Sequence, residues 1–409
     1  EPYTTAACGL SAVVRGGGSV VRCLGAGEDT IYGDTLKSVF TELKRLRPFV
    51  GGESVKYLAL HVSQQNRDFG YIDSIDDFWR LMRGSHEMLK RSQVLTEIVF
   101  DEQLTFENLS QYKVLFMSNS ICLSDEQIEH VKRFVSEGGT LIATHETSLY
   151  DGLGQKRDNF GLADVFGVDY QGLFQSASKG TIESKTSGSV NTDHSNIYIP
   201  QKESLRNELG QIVAFGASLS QVSLRPGNET EVIFTKSNLK WKGKHHPIDN
   251  FYPGADSGEP AVTVTTFGKG KAIYICGDVG EGYDSAPLPQ VKRFIAHLAL
   301  SAHPPIEVEA PRVIDISAFM RAPNEMMIHL LNNQLPYIPW DTDSVDLRKY
   351  FYIDELLPVH DVVIKLNGLK VKNASLPFQN KQLDIDSDNG TITVPVVNIQ
   401  EVVLLEIDD

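Results

Sequence analysis

Between residues 55 and 300, short apolar blocks alternate with longer stretches whose apolar residues recur every three or four positions. Blocks of that length suit strands buried on both faces, and the amphipathic stretches suit helices packed on a sheet. The clearest unit runs from Tyr112 to Tyr150. Lys113 to Met117 is an apolar strand, and Ser124 followed three positions later by Gln127 signals a capped helix start. Ile128, Val131, Phe134 and Val135 share one helical face, Gly138-Gly139 ends the helix, and Thr140 to Thr144 is the next strand. Val55 to Ser63 and Glu97 to Phe100 predict further strands. A helix is expected between them, with Ile75, Phe78, Trp79, Met82, His86 and Leu89 on its inner face. Trp79 reads as core rather than as a sugar-stacking surface. Repeated strand–helix alternation predicts an α/β domain around a doubly wound parallel sheet.

The pattern changes twice. From about 170 to 260 the blocks shorten and Ser, Gly, Asn and Lys increase, which predicts an inserted or edge region containing IYIP, QIVAFG and TEVIFTKS as strands. A hairpin around Gly268-Lys269-Gly270 and a helix carrying Val291, Phe294, Ile295 and Leu298 close that domain. Past His303-Pro304-Pro305 the apolar residues alternate at period two, with turns at Asn367-Gly368 and Asn389-Gly390, predicting a small antiparallel β-sandwich over 304–409. Ahead of the first domain, residues 1–50 read as helix, strand, helix, the succession that ends a (β/α)8 barrel. Their triple glycine, Gly16 to Gly18, precedes no Gly-Lys-Ser/Thr and so is not a phosphate loop.

Composition narrows the function. Among 409 residues, 41% are hydrophobic and 22% charged, as in an ordinary globular protein of two or three domains. The formal charge of −15 argues against nucleic acid and anionic membranes as partners. No apolar run is long enough to span a bilayer and the sequence opens without a basic, hydrophobic leader. A soluble protein is expected, with the cytoplasm favoured over periplasm or export. Cys8, Cys23, Cys122 and Cys276 lack metal-ligand spacing, and His245-His246 have no carboxylate at helical spacing, so neither a metal nor another cofactor is expected.

His145-Glu146 leaves a predicted strand at its carboxyl end, where open α/β sheets place ligands. Two readings stay open there: a polar turn whose side chains bond backbone, or an amidotransferase-like hydrolase using Cys122 or Cys276 with His145 and Glu146. Asp278, Glu281, Tyr283 and Asp284 read as solvated loop acids, with Asp278 and Glu281 as candidates for sugar hydroxyls. Tyr337, Trp340, Tyr350 and Phe351 make one C-terminal loop aromatic, either as a plug over the sandwich or as a glycan platform led by Trp340 and Tyr337.

The strings Glu146-Thr147-Ser148-Leu149-Tyr150-Asp151, Arg157, Asn159-Phe160, Leu162-Ala163-Asp164 and Phe166-Gly167-Val168 resemble the middle domain of family 42 β-galactosidases and their relatives with a β-galactosidase trimerisation domain. Pro260 to Tyr283, Pro304 to Pro311 and VPVVNIQEVVLLE continue the resemblance, which covers nearly the whole chain. Where this chain has His145, the family usually has glycine. The resemblance implies a flavodoxin-like, glutamine amidotransferase-like trimerisation domain over 51–303, followed by the sandwich. It also implies a catalytic barrel ahead of them that carries the two acids of glycoside cleavage. Such a barrel needs about 250 residues, so a fragment or partial gene product is expected, with the barrel as partner in cis or trans. The chain itself is then a non-catalytic accessory and homo-oligomerisation portion, trimer favoured, with carbohydrate as the further candidate partner.

Overall fold

A computed structural model describes residues 10–15, 31–70, 75–173, 196–215, 219–241, 251–334 and 355–408. The chain divides into two compact units, one of residues 56–89 and 96–302, the other of residues 1–55, 90–95 and 303–409. It is mixed α/β with several sheets.

The first unit is built on a nine-stranded sheet. Its parallel part contains β1 (Leu58–His61), β2 (Thr96–Val99), β3 (Val114–Met117), β4 (Thr140–Thr144) and β5 (Gly270–Ile275), in the spatial order β2-β1-β3-β4-β5. β1, β3 and β4 are buried at every position. Strands covered on both faces need continuous apolar side chains, which is why they appear as unbroken apolar blocks in the sequence. Beyond β5 the sheet turns antiparallel through Phe251–Phe267, Thr230–Trp241, Asn196–Pro200 and Val213–Phe215. The three strands expected of the inserted region thus extend the main sheet.

Four helices of this unit matter to the site: α1 (Ile75–Lys90), α2 (Asp125–Ser136), α3 (Val279–Ser285) and α4 (Pro289–Leu300). α2 starts as expected, with Ser124 Oγ accepting from the Gln127 N–H while Gln127 Oε1 accepts from the Ser124 N–H. α1 departs from expectation. Its buried residues are Phe78, Leu81, Gly84, Ser85, Met88 and Leu89, whereas Ile75 and Trp79 are 45% and 40% exposed. The reason is a glycine contact. A Cβ on Gly84 would lie 1.9 Å from the Gly280 carbonyl oxygen, and one on Gly280 would lie 2.3 Å from Ser85 Oγ. Only two glycines let α1 and α3 approach this closely, and that approach turns the Leu81–Gly84–Ser85–Met88 stripe inward. Of the acids expected in a solvated loop, Asp278 and Asp284 are buried and Glu281 is half-buried, Asp284 and Glu281 within α3 and Asp278 as its cap, its Oδ1 accepting from the Glu281 N–H.

The second unit holds two antiparallel sheets. One orders Glu53–Ser54, Ile314–Ala322, Glu325–Asn332, Gln400–Ile407, Val371–Leu376 and Lys381–Leu383; the other orders Glu307–Glu309, Val359–Lys365, Thr391–Val397 and Ile385–Asp386. The helix Ile31–Leu46 lies in this unit, and Leu10, Val14, Val39 and Leu46 form one core cluster with Phe319, Met327, Leu331 and Val402. A solitary barrel-end segment would expose its apolar stripe to water. Here Val39 and Leu46 are buried against a β-sheet and Leu43 half-buried, while Phe40 stays 44% exposed. The strand expected at Ser19 to Leu24, and most of the helix expected at Thr4 to Val14, lie outside the described residues.

Candidate functional site

β1 is flanked by β2 on one side and β3 on the other. The chain leaves β1 toward one edge to form β2, then returns past it to form β3, so the carboxyl ends of β1 and β3 bound a topological switch point. Open α/β sheets bind ligands in such crevices because the connections diverge there. The last residue of β1 is His61, Asp101 follows β2, and Ser118-Asn119-Ser120 follows β3. β1 up to His61 and all of β3 are apolar and buried, so their first polar side chains emerge at this edge. Asn119 makes the turn with φ +47°, a left-handed conformation that asparagine tolerates.

These residues form a connected relay. His61 Nδ1 lies 2.8 Å from Ser120 Oγ, and His61 Nε2 lies 3.1 Å from Asp101 Oδ1. All three are buried. Burial works to raise the Asp101 carboxyl, but hydrogen bonds from His61, the Gln65 N–H and Ser63 outweigh it and hold the group below its ordinary value. An ionised Asp101 accepts from Nε2–H, which leaves Nδ1 to accept from the Ser120 hydroxyl. Beside the relay is a cavity of about 10 Å³, whose lining includes His61, Ser63, Asn66, Ser118, Ser120 and Met82. That is room for about one water molecule.

A second polar cluster lies at the ends of β4 and β5. His145 begins the turn after β4 with φ +51°. Its Nδ1 is 2.8 Å from Ser220 Oγ and its backbone N–H donates to the Ile275 carbonyl at 2.8 Å. Burial is the chief influence on its ring and lowers the pKa, keeping the imidazole neutral. Glu146 Oε1 accepts from the Tyr170 hydroxyl at 2.8 Å. Asn119 joins the two clusters: its Oδ1 accepts from the Glu146 N–H at 3.1 Å, and its Nδ2 donates to Asp278 Oδ2 at 2.8 Å. Asp278 is 2% exposed, and burial, followed by repulsion from Glu281, pushes its carboxyl up to about 7.

The structure therefore gathers His145, Glu146 and Asp278 around Asn119 at one sheet edge. The cysteines are set up differently. The Cys122 thiol is pushed up to about 12, chiefly by burial and then by Asp151 and Asp101. Burial also raises Cys276, whose Sγ lies 2.9 Å from the Ala261 carbonyl. Both thiols are protonated at neutral pH, and His145 faces a serine hydroxyl rather than sulfur. Thiolate chemistry of the amidotransferase kind finds no activated nucleophile in either. Tyr337, Trp340, Tyr350 and Phe351 lie outside the described residues. Among the described residues, no group of three or more His, Cys, Asp or Glu side chains is arranged to hold a metal ion, and no helix is long and apolar enough to cross a membrane.

No protein-family model matches this sequence, and a search of curated proteins finds no match. Solved structures do match. α-L-Fucosidase isoenzyme 2 of Paenibacillus thiaminolyticus aligns over 100% of this chain and 58% of its own, with a TM-score of 0.73 at 17% identity. The β-galactosidase of Rahnella sp. R3 aligns over 100% of this chain and 52% of its own, with a TM-score of 0.62 at 15% identity. The β-galactosidase of Bacillus circulans sp. alkalophilus aligns over 95% of this chain and 47% of its own, with a TM-score of 0.60 at 15% identity. The fold is glycoside-hydrolase-like. The chain spans about half the length of these enzymes.

His61, Asp101 and Ser120 were not singled out by sequence reasoning. A signal was present: each is a polar residue at the end of a strand of the parallel sheet or within three positions after it. It becomes legible only once β1, β2 and β3 are known to be neighbours, because 40 and 59 positions separate Asp101 and Ser120 from His61.

Proposed function

We propose that this chain is the accessory scaffold of a β-galactosidase-like glycoside hydrolase acting in carbohydrate metabolism, with glycoside cleavage carried out elsewhere in the parent protein. The sheet-centred unit is read as the doubly wound, amidotransferase-like domain that mediates self-association, trimer favoured, and the two antiparallel sheets as a bracing sandwich. The observation that carries this reading is the alignment itself: essentially the whole chain superposes on about half of each enzyme. The state of the acids agrees. Asp101 is bonded to His61, Asp278 to Asn119, and Asp284 lies 3.3 Å from Arg83. A retaining glycosidase needs two carboxylates about 5 Å apart on either side of an open sugar site, whereas these three are buried and each is already bonded to a neighbouring side chain.

The test uses the purified chain. Sedimentation should give a homo-oligomer, since a specific interface buries upwards of about 1,000 Å², and nitrophenyl galactosides and fucosides should not be turned over. Robust glycosidase turnover by this chain would overturn the scaffold reading, and a monomer at all concentrations would overturn the assembly role.

A further inference from the structure

The relay at the switch point goes beyond a scaffold's needs. We infer that Ser120, His61 and Asp101 form an acyl-transfer site that takes small carboxylic esters, with Ser120 as nucleophile. Three independent observations meet there. The hydrogen-bonded order is carboxylate, imidazole, hydroxyl, at 3.1 Å and 2.8 Å, the order of groups that activates a serine on unrelated folds, here with the carboxylate on Nε2 and the serine on Nδ1. The three residues leave β2, β1 and β3 at the crevice where this sheet topology places ligands. A cavity adjoins the reacting groups, with the Ser120 and His61 side chains in its wall and Leu60, Phe78, Leu81 and Met82 as its apolar lining.

The roles follow from the bonding. Ser120 Oγ adds to the ester carbonyl carbon as its proton passes to His61 Nδ1. The tetrahedral adduct collapses, the carbon–oxygen bond to the alcohol breaks, and the alcohol leaves with the proton held by His61. Water then attacks the acyl-serine, gives a proton to His61 Nδ1, and releases the carboxylic acid as that proton returns to Ser120 Oγ. Asp101 is a positioning residue that fixes the tautomer of His61 and stabilises the imidazolium. The Ser118 hydroxyl, 2.7 Å from Ser85 Oγ in the same cavity wall, is the side-chain group a developing oxyanion would meet. Size sets the substrate class. Ser120 is 1% exposed and the cavity is about 10 Å³, so an ester enters only as the covering helix α1 moves, and an acetyl group is favoured over longer acyl chains.

The test is to treat the folded full chain with a short-chain alkyl fluorophosphonate and locate the adduct by peptide mass spectrometry. The expected result is a single adduct on Ser120, formed on the native chain. p-Nitrophenyl acetate should be hydrolysed faster than p-nitrophenyl octanoate, and that turnover should be lost in S120A. D101N should lower kcat on the order of 10²-fold or more with KM unchanged; a merely structural Asp101 would not separate the two constants. Absence of a Ser120 adduct on the folded wild-type chain overturns the proposal whatever the variants do, as does acetate turnover that persists in S120A. Neither result bears on the scaffold reading, which rests on glycosidase assays and oligomeric state.

Discussion

Lowering the pH should unload stability through one histidine of the second unit. His329 lies in Glu325–Asn332, 2% exposed, with its ring 6.0 Å from that of Phe319 and a hydrogen bond to the Phe49 backbone. Its Nδ1 has no hydrogen-bond partner. Burial, partly offset by the Phe49 bond, lowers its pKa from 6.5 to about 4. A histidine with a depressed folded pKa stabilises fully above its unfolded value and loses that contribution as pH falls toward the folded one. The window is therefore pH 6.5 down to 4. At 1.36 kcal/mol per unit, the loss between pH 7.5 and 4.5 is about 2–3 kcal/mol. His329→Leu removes the titration and forfeits one hydrogen bond worth about 1 kcal/mol at every pH. Urea unfolding followed by circular dichroism at both pH values gives the two slopes. The difference between wild type and variant isolates His329, because every other titrating group cancels. Equal pH dependence in the two proteins would refute the reasoning.

Three further outcomes are expected. Gly84→Ala should destabilise by about 1–3 kcal/mol through overpacking, because its Cβ meets the Gly280 carbonyl oxygen at 1.9 Å; thermal unfolding measures the loss, and an unchanged Tm would show that α1 and α3 can part freely. Asp278→Asn should cost about 1 kcal/mol at pH 5, since Asn119 and the Glu281 N–H both donate to this carboxyl and an amide accepts only one of them well. A carboxyl whose folded pKa is raised from 3.8 to about 7 loses its stabilising contribution as pH rises through that value. The variant should thus gain on the wild type by on the order of 2 kcal/mol between pH 5 and 9, and a constant gap would contradict the burial of Asp278. Cys122, with its thiol near 12, should react with iodoacetamide at pH 8 far more slowly in the native protein than in urea; equal rates would mean that the loop around it opens readily.

The local pattern of the sequence was sufficient for the elements it encodes locally. The capping box of Ser124 and Gln127, the stop at Gly138-Gly139 and the strand Thr140–Thr144 involve groups within a few residues of one another, and they stand where the sequence places them. The alternation of apolar blocks with amphipathic stretches likewise determined a parallel sheet clad in helices, because burial on two faces leaves no room for polar residues. Tertiary structure decided what depends on contacts between distant segments. The inner face of α1 was displaced from Trp79 to Gly84 by a glycine on α3 nearly 200 residues away. Asp278 and Asp284, polar in any one-dimensional reading, are buried at the start and within α3, where Asn119 from the turn after β3 and Arg83 from α1 partner them. The relay of Asp101, His61 and Ser120 exists only because the sheet order β2-β1-β3 brings three strand ends together. Periodicity reports which face of an element avoids water, and it carries no information about which other element will meet that face.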